Sequence, residues 1–342
     1  ITELGKVFNC PAGASFPKRS LGKSLASYLG IMLDRQGDYN SSICVWESGG
    51  EFIKSTFTQK GIPLSWDYVE LSPFGNASGS FQNALDWITS VLETCKQIDL
   101  CAVVKRGSAT ESIFQIEQID AVITDPPYYD SVPYANISDF FYVWLKRSIG
   151  QFYAEHFAGT GTPKKTEAVA DAVRHNGDRN AARASYEKVM EESFFQANRV
   201  LKRCGQMLVV YAHKTTLGWA TLVEALRKAG FTVLESWPLD TERPGRVRSI
   251  GSAALASSIF LVARKREGTE AGNYEEDVQP ELKQIVRERV ETLWEMGISG
   301  ADLVIASVGA GLRAFTRFAG AVYAGICRQH LLYRVWNDKW SV

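Results

Sequence analysis

Between Cys101 and Ala263 short apolar runs alternate with stretches whose apolar residues recur at helical spacing, and this alternation restricts the fold more than any other feature. Cys101-Ala102-Val103-Val104, Asp120 to Thr124, Gln206 to Tyr211, Thr232 to Trp237 and Ser258 to Ala263 read as strands. Glu187 to Leu201 and Leu217 to Ala229 read as helices between them. Strands alternating with helices predict an α/β core, a mostly parallel sheet with helices on both faces.

Helical extensions are expected on either side. Leu21, Leu25, Tyr28, Leu29, Met32 and Leu33 place an amphipathic helix over Lys18 to Asp38, and a second runs from about Phe81 to Lys96. Between them Pro63, Pro73, Gly75 and Gly79 surround Trp66-Asp67-Tyr68-Val69-Glu70, an extended and irregular stretch. Arg264 to Asp277 is polar and reads as a linker. Val278, Leu282, Ile285, Val286, Val290, Leu293 and Trp294 mark a further helix, with a helical tail after it. The expected organisation is therefore an N-terminal part over 1–97, a core over 98–266 with an insertion at 150–185, and a linker with a helical region over 267–342.

With 342 residues and 45% hydrophobic composition the chain can bury a sizeable core. Lys+Arg and Asp+Glu each number 38, so no bulk cationic field draws the molecule onto a phosphate backbone. Any nucleic-acid contact has to come from local clusters. The cysteines form no C-x-x-C pair and no His cluster joins them, so no metal site is expected and free thiols in a cytoplasmic setting are. No apolar run reaches the roughly 18 to 20 residues of a membrane helix. The opening Ile1-Thr2-Glu3-Leu4-Gly5-Lys6-Val7-Phe8 has the texture of mid-domain sequence, which suggests a piece of a longer protein.

Asp125-Pro126-Pro127-Tyr128 closes the apolar run Ile119 to Thr124. In an open parallel sheet, ligands bind beyond the carboxyl ends of the strands. The tetrapeptide suits one chemical object, a flat ring bearing an exocyclic amine. That amine is a poor nucleophile because its lone pair is delocalised into the ring. The Asp125 carboxylate and the Pro126 carbonyl can each take one N–H and localise the pair on nitrogen. Consecutive prolines hold the carbonyl in place, and Tyr128 offers a face for stacking. A base inside a duplex cannot reach such a pocket, so the target is flipped out or single-stranded. The bland alternative is a Pro-Pro pair that merely ends a buried strand.

These residues resemble the signature of the amino-methyltransferases. The longer run Asp125 to Tyr134, continuing through Ser138-Asp139-Phe140-Phe141-Tyr142-Val143-Trp144-Leu145, is similar to the large bacterial adenine-specific DNA methylases of the zinc-ribbon type. So are Asp38-Tyr39-Asn40-Ser41-Ser42, Trp66-Asp67-Tyr68-Val69-Glu70, Tyr211-Ala212-His213-Lys214, Trp237-Pro238-Leu239-Asp240-Thr241-Glu242 and Ala254-Leu255-Ala256-Ser257-Ser258. The resemblance implies a Rossmann-like, S-adenosylmethionine-dependent methyltransferase fold. It also implies methyl transfer to a DNA base, adenine N6 first, with cytosine N4, RNA or a protein amine as alternatives.

Two departures stand out: no F-x-G-x-G-like cofactor loop precedes Asp125, and the zinc-ribbon cysteine pairs are missing. The match is thus to the C-terminal portion of such an enzyme, with upstream polypeptide as an expected partner. A nucleic-acid-binding fragment, inactive alone, is the rival reading. Val304-Ile305-Ala306-Ser307-Val308-Gly309-Ala310-Gly311 imitates a strand entering a glycine loop, against the alternative of a close-packed helix.

Further candidates follow from position. In the fold that the resemblance implies, Gly107, Ser108 and Ala109, after the first strand of the core, contact the cofactor together with Asp125; a plain strand-to-helix turn is the alternative reading of these three. Tyr129, His213 and Lys214 belong to the same rim. Lys164 and Lys165 lie in the glycine- and charge-rich insertion, a candidate lid or target-recognition segment. Arg243, Arg246 and Arg248 crowd one loop and suit phosphate contacts.

Overall fold

The computed structural model describes residues 18–57, 69–96, 102–111, 114–129, 132–213, 216–239, 258–298, 300–323 and 326–327. The chain divides into two compact units, residues 1–105 with 132–167 and residues 106–131 with 168–342.

In the first unit, helix α1 (Lys18–Tyr39) leads to a two-stranded antiparallel hairpin, β1 (Trp46–Glu47) and β2 (Phe52–Ile53). Thr56 fixes the base of the hairpin, its N–H donating to Asp38 Oδ1 at 3.1 Å and its hydroxyl to the Asp38 carbonyl at 2.6 Å. Helix α2 (Phe81–Cys95) begins at Ser80, whose hydroxyl accepts from the Asn83 N–H at 3.3 Å. Gln36 ties that start to α1, donating to the Gly79 and Ser80 carbonyls at 2.9 Å each. Helix α3 (Tyr134–Ile149) packs on α1 closely enough that a Cβ on Gly30 would meet Ile149 Cγ2 at 3.0 Å.

The second unit holds the main sheet. Strand β3 (Ile119–Thr124) is followed, beyond α3, by helix α4 (Arg179–Val200), which passes directly into β4 (Leu201–Tyr211). Ala182, Tyr186, Met190 and Phe194 recur every fourth residue on α4 and are all buried, so one stripe of that helix forms its packed face. Helix α5 (Thr216–Lys228), β5 (Phe231–Leu239) and β6 (Ser258–Lys265) complete the order β3-β4-β6-β5. β3 pairs with β4 in parallel, while β6 runs antiparallel to both β4 and β5. Three strands therefore point one way, and the reversed β6 is wedged between two of them.

The expected mostly parallel sheet is thus corrected to a mixed one among the described residues: β3, β4 and β5 share a direction, β6 opposes it, and only the β3–β4 pairing is parallel. Strand direction depends on how β5 connects to β6, and the apolar pattern carries no record of that.

Strand β7 (Ala271–Asn273), the π-helical turn Tyr274–Val278 and helix α6 (Gln279–Glu295) follow, and then helix α7 (Gly300–Thr316), β8 (Gly320–Tyr323) and β9 (Ile326–Cys327). The expected linker and helical tail are corrected here, because β7, β8 and β9 form a second, three-stranded sheet. The glycine-loop lookalike Val304 to Gly311 lies inside α7. A Cβ on Gly309 would come within 2.7 Å of Ser236 Cβ on β5, and one on Gly311 within 2.6 Å of Leu282 Cδ1 on α6, so these glycines serve close packing.

The expected strand at Cys101 to Val104 is also corrected. Ala102, Val103 and Val104 form no strand, and Val103 and Val104 are 83% and 90% exposed. Lys105 and Arg106 follow at once, and among the described residues no neighbouring strand covers the run. No helix among the described residues is long and apolar enough to cross a membrane.

Candidate functional site

Asp125 follows the last residue of β3, and the register Thr124↔Val209 sets it beside the final turn of β4. The loop that leaves the strand is clamped from beneath by one side chain. The Tyr186 hydroxyl donates to the Pro127 carbonyl at 2.8 Å and accepts from the Tyr129 N–H at 3.2 Å. The Tyr129 carbonyl accepts from the Ala170 N–H at 3.0 Å. Three backbone groups of the Pro127–Tyr129 stretch are thereby fixed. Tyr129 needs this support, since its φ of 38° lies in the left-handed region that a bulky side chain rarely adopts.

Tyr186 is 1% exposed, and burial pushes its phenol up to about 12, so it stays protonated and keeps both bonds. Pro126 is buried and Asp125 exposed. Among the described residues neither the Asp125 carboxylate nor the Pro126 carbonyl is engaged by a hydrogen bond, whereas the Pro127 carbonyl is taken by Tyr186.

Aromatic rings build the wall beside this loop. Tyr128 meets Tyr211 edge-on at 5.2 Å between centroids, and Tyr129 meets Tyr186 edge-on at 5.3 Å. His213 stacks on Tyr211 at 6.2 Å and meets Tyr129 at 5.8 Å, while its carbonyl accepts from Trp219 Nε1 at 3.0 Å. A Cβ on Gly218 would overlap the His213 ring, so a glycine at the start of α5 lets the two approach. His213 therefore stands at the rim as a packed member of the cluster.

Asp125, Pro126, Pro127, Tyr128, Tyr129 and His213 thus come together at one end of the sheet. Gly107, Ser108 and Ala109 do not follow a strand; they are exposed, with the Ser108 and Thr110 hydroxyls 2.7 Å apart. Lys164 and Lys165 belong to the first unit. Lys164 is spoken for by Asp139, its Nζ lying 2.6 Å from Oδ2, and the same carboxylate accepts from the Thr162 N–H at 2.8 Å. The Lys164 ammonium, followed by the Thr162 donors, holds the Asp139 carboxyl down at about 2. Lys165 is exposed. Lys214, Arg243, Arg246 and Arg248 lie outside the described residues, as do Trp66-Asp67-Tyr68 and Ala254-Leu255-Ala256-Ser257.

Tyr186 and Ala170 complete the site and were not singled out by the sequence, and Tyr211 stood there only as the end of a strand and the first residue of a stretch resembling the family. Tyr186 shares its four-residue spacing with Ala182 and Met190, which signals burial and says nothing of where the hydroxyl points.

No family model and no curated protein matches the chain. Solved structures similar to it include three of a candidate DNA modification methylase from Thermus thermophilus. The selenomethionine form is 17% identical over 54% of this chain and 63% of its own length, with a TM-score of 0.26. A second form is 15% identical over 69% of this chain and 94% of its own, with a TM-score of 0.26. A third, in complex with S-adenosyl-L-methionine, is 15% identical over 69% and 93%, with a TM-score of 0.25. At these scores no residue correspondence follows, and the fold is read from this chain's own strand order.

Proposed function

We propose that this chain carries the amine-orienting half of an S-adenosylmethionine-dependent DNA amino-methyltransferase acting on adenine N6. The single observation that supports it most is the clamped loop: Tyr186 takes the Pro127 carbonyl and the Tyr129 N–H, while Asp125 and the Pro126 carbonyl stand at the strand end without a hydrogen bond among the described residues. Two acceptors on a rigid loop are what an exocyclic NH2 group requires if its lone pair is to point at a methyl donor. Tyr128, two residues after Pro126, supplies the ring proposed for the base to stack on. The donor supplies an already activated methyl group, so orientation is the protein's main task. The described residues do not fit a complete cradle for that donor, because Gly107 to Ala109 are exposed and follow no strand among the described residues. No step is assigned through them.

The rival reading, a segment that keeps the base pocket but transfers nothing alone, draws on one further observation. β3 is an edge strand of the described sheet, and Ile123 on it is 73% exposed. An edge of this kind offers itself to further strands. Calorimetric titration of S-adenosylmethionine into this chain and into the polypeptide extended upstream of Ile1 separates the two readings: binding by the extended form alone supports the segment reading, and binding by both supports a self-sufficient enzyme. Methyl incorporation into pools of DNA, RNA and peptide identifies the substrate, and incorporation into RNA or peptide alone would contradict the DNA assignment.

A further inference from the structure

The far end of the sheet carries a cavity of about 340 Å³. The register places it. Tyr211↔Ile259 and Leu239↔Ser258 lie at the rim shared with Asp125, whereas Gln206↔Arg264 and Phe231↔Lys265 lie toward the opposite rim, where the pairing of β4 with β6 starts and β5 begins. Arg264 and Arg266 line the cavity from β6 and the turn after it, and Arg313 from the last turn of α7.

Other cations nearby are already answered: Arg317 pairs with Glu281 at 3.0 Å, Lys265 with Glu117 at 3.4 Å, and Arg227 with Glu224 at 2.5 Å. Arg264, Arg266 and Arg313 make no ion pair among the described residues. Glu267 and Glu270 also line the cavity, are exposed, and leave these guanidinium groups unpaired.

Arg266 is the telling member. It is half-buried and held rigidly, Nε donating to the Gly268 carbonyl at 3.0 Å and Nη1 to the Arg227 carbonyl at 2.9 Å. Burial, and then the neighbouring Arg227 charge, hold its pKa below the usual guanidinium value. A fixed, partly desolvated cation answered only by carbonyl dipoles is costly unless an anion completes it. Fork-shaped donors arriving from three elements match the oxygens of a phosphate.

We propose that this cavity is a phosphate-binding site, formed by the guanidinium groups of Arg264, Arg266 and Arg313. It is separate from the Asp125 rim and does not depend on the methyl-transfer reading. The phosphate belongs either to a nucleic-acid backbone or to a small free phosphate ester.

The test is calorimetric titration of inorganic pyrophosphate, at low salt, into the full chain, the Arg264→Gln/Arg313→Gln double variant and Asp125→Ala. Pyrophosphate is expected to bind the native chain and Asp125→Ala equally and the double variant at least about tenfold more weakly, as the loss of charge-assisted bonds requires. Both substituted positions are exposed, and if the double variant fails to fold, Arg313→Gln alone carries the same comparison. A short DNA duplex that displaces pyrophosphate assigns the site to backbone phosphate; pyrophosphate binding that the duplex leaves untouched assigns it to a free ester. Absence of pyrophosphate binding by the native chain, or equal affinity in the double variant, overturns the proposal.

Discussion

One buried hydroxyl sets the geometry of the candidate site. The Tyr186 phenol donates to Pro127 and accepts from Tyr129, and its two hydrogen bonds hold a loop whose Tyr129 sits at an unfavourable φ. Tyr186→Phe keeps the ring packing and removes both bonds, so it is expected to cost about 1 to 2 kcal/mol of stability. Methyl transfer should fall about tenfold or more, because misplacement of the two acceptors weakens orientation. Urea titration and steady-state assays measure the two effects; loss of stability with unchanged turnover would make Tyr186 a packing residue only. Asp125 through Tyr128 can be picked out as a candidate from the sequence because the proposed chemistry is contained in four adjacent residues. Tyr186 was not, because its partners lie 57 and 59 residues away and a helical stripe advertises burial alone.

At the scale of elements, the amphipathic helices α1, α2, α5 and α6 follow their apolar spacing, and β3 to β6 follow the short apolar runs. What the pattern did not carry was contact between elements. Ala102-Val103-Val104 is as apolar as a strand but pairs with no strand among the described residues, and Val304 to Gly311 reads equally as a loop or a helix until Ser236 and Leu282 are seen against its glycines. Filling that contact tests the packing. Gly309→Leu is expected to destabilise the second unit by about 1 to 3 kcal/mol through overpacking against β5. A thermal melt that is unchanged or raised would show that α7 does not lie on the strand.

On the scale of the whole molecule, stability should vary with pH through a group in the first unit. Asp34 on α1 is buried, its Oδ1 has no hydrogen-bond partner among the described residues, and burial pushes its carboxyl from 3.8 up to about 7. The folded state then binds a proton the unfolded chain has released, so stability falls as pH rises from about 4 to about 7 and levels off above. Asp34→Asn removes this dependence, and its advantage in urea midpoint should grow across that window; an advantage independent of pH would mean Asp34 is ionised when folded.

Lys164, a candidate DNA contact in the sequence, pairs with Asp139 within the first unit. The central claim is that Asp125 and the Pro126 carbonyl orient an exocyclic amine. It is tested most directly by methyl incorporation from S-adenosylmethionine into duplex DNA by the upstream-extended polypeptide, native against Asp125→Ala, with the product hydrolysed to nucleosides. N6-methyladenine is expected from the native protein, with a loss of about a hundredfold or more in the variant and its melting temperature unchanged; near-native incorporation by Asp125→Ala would rule out that role for Asp125.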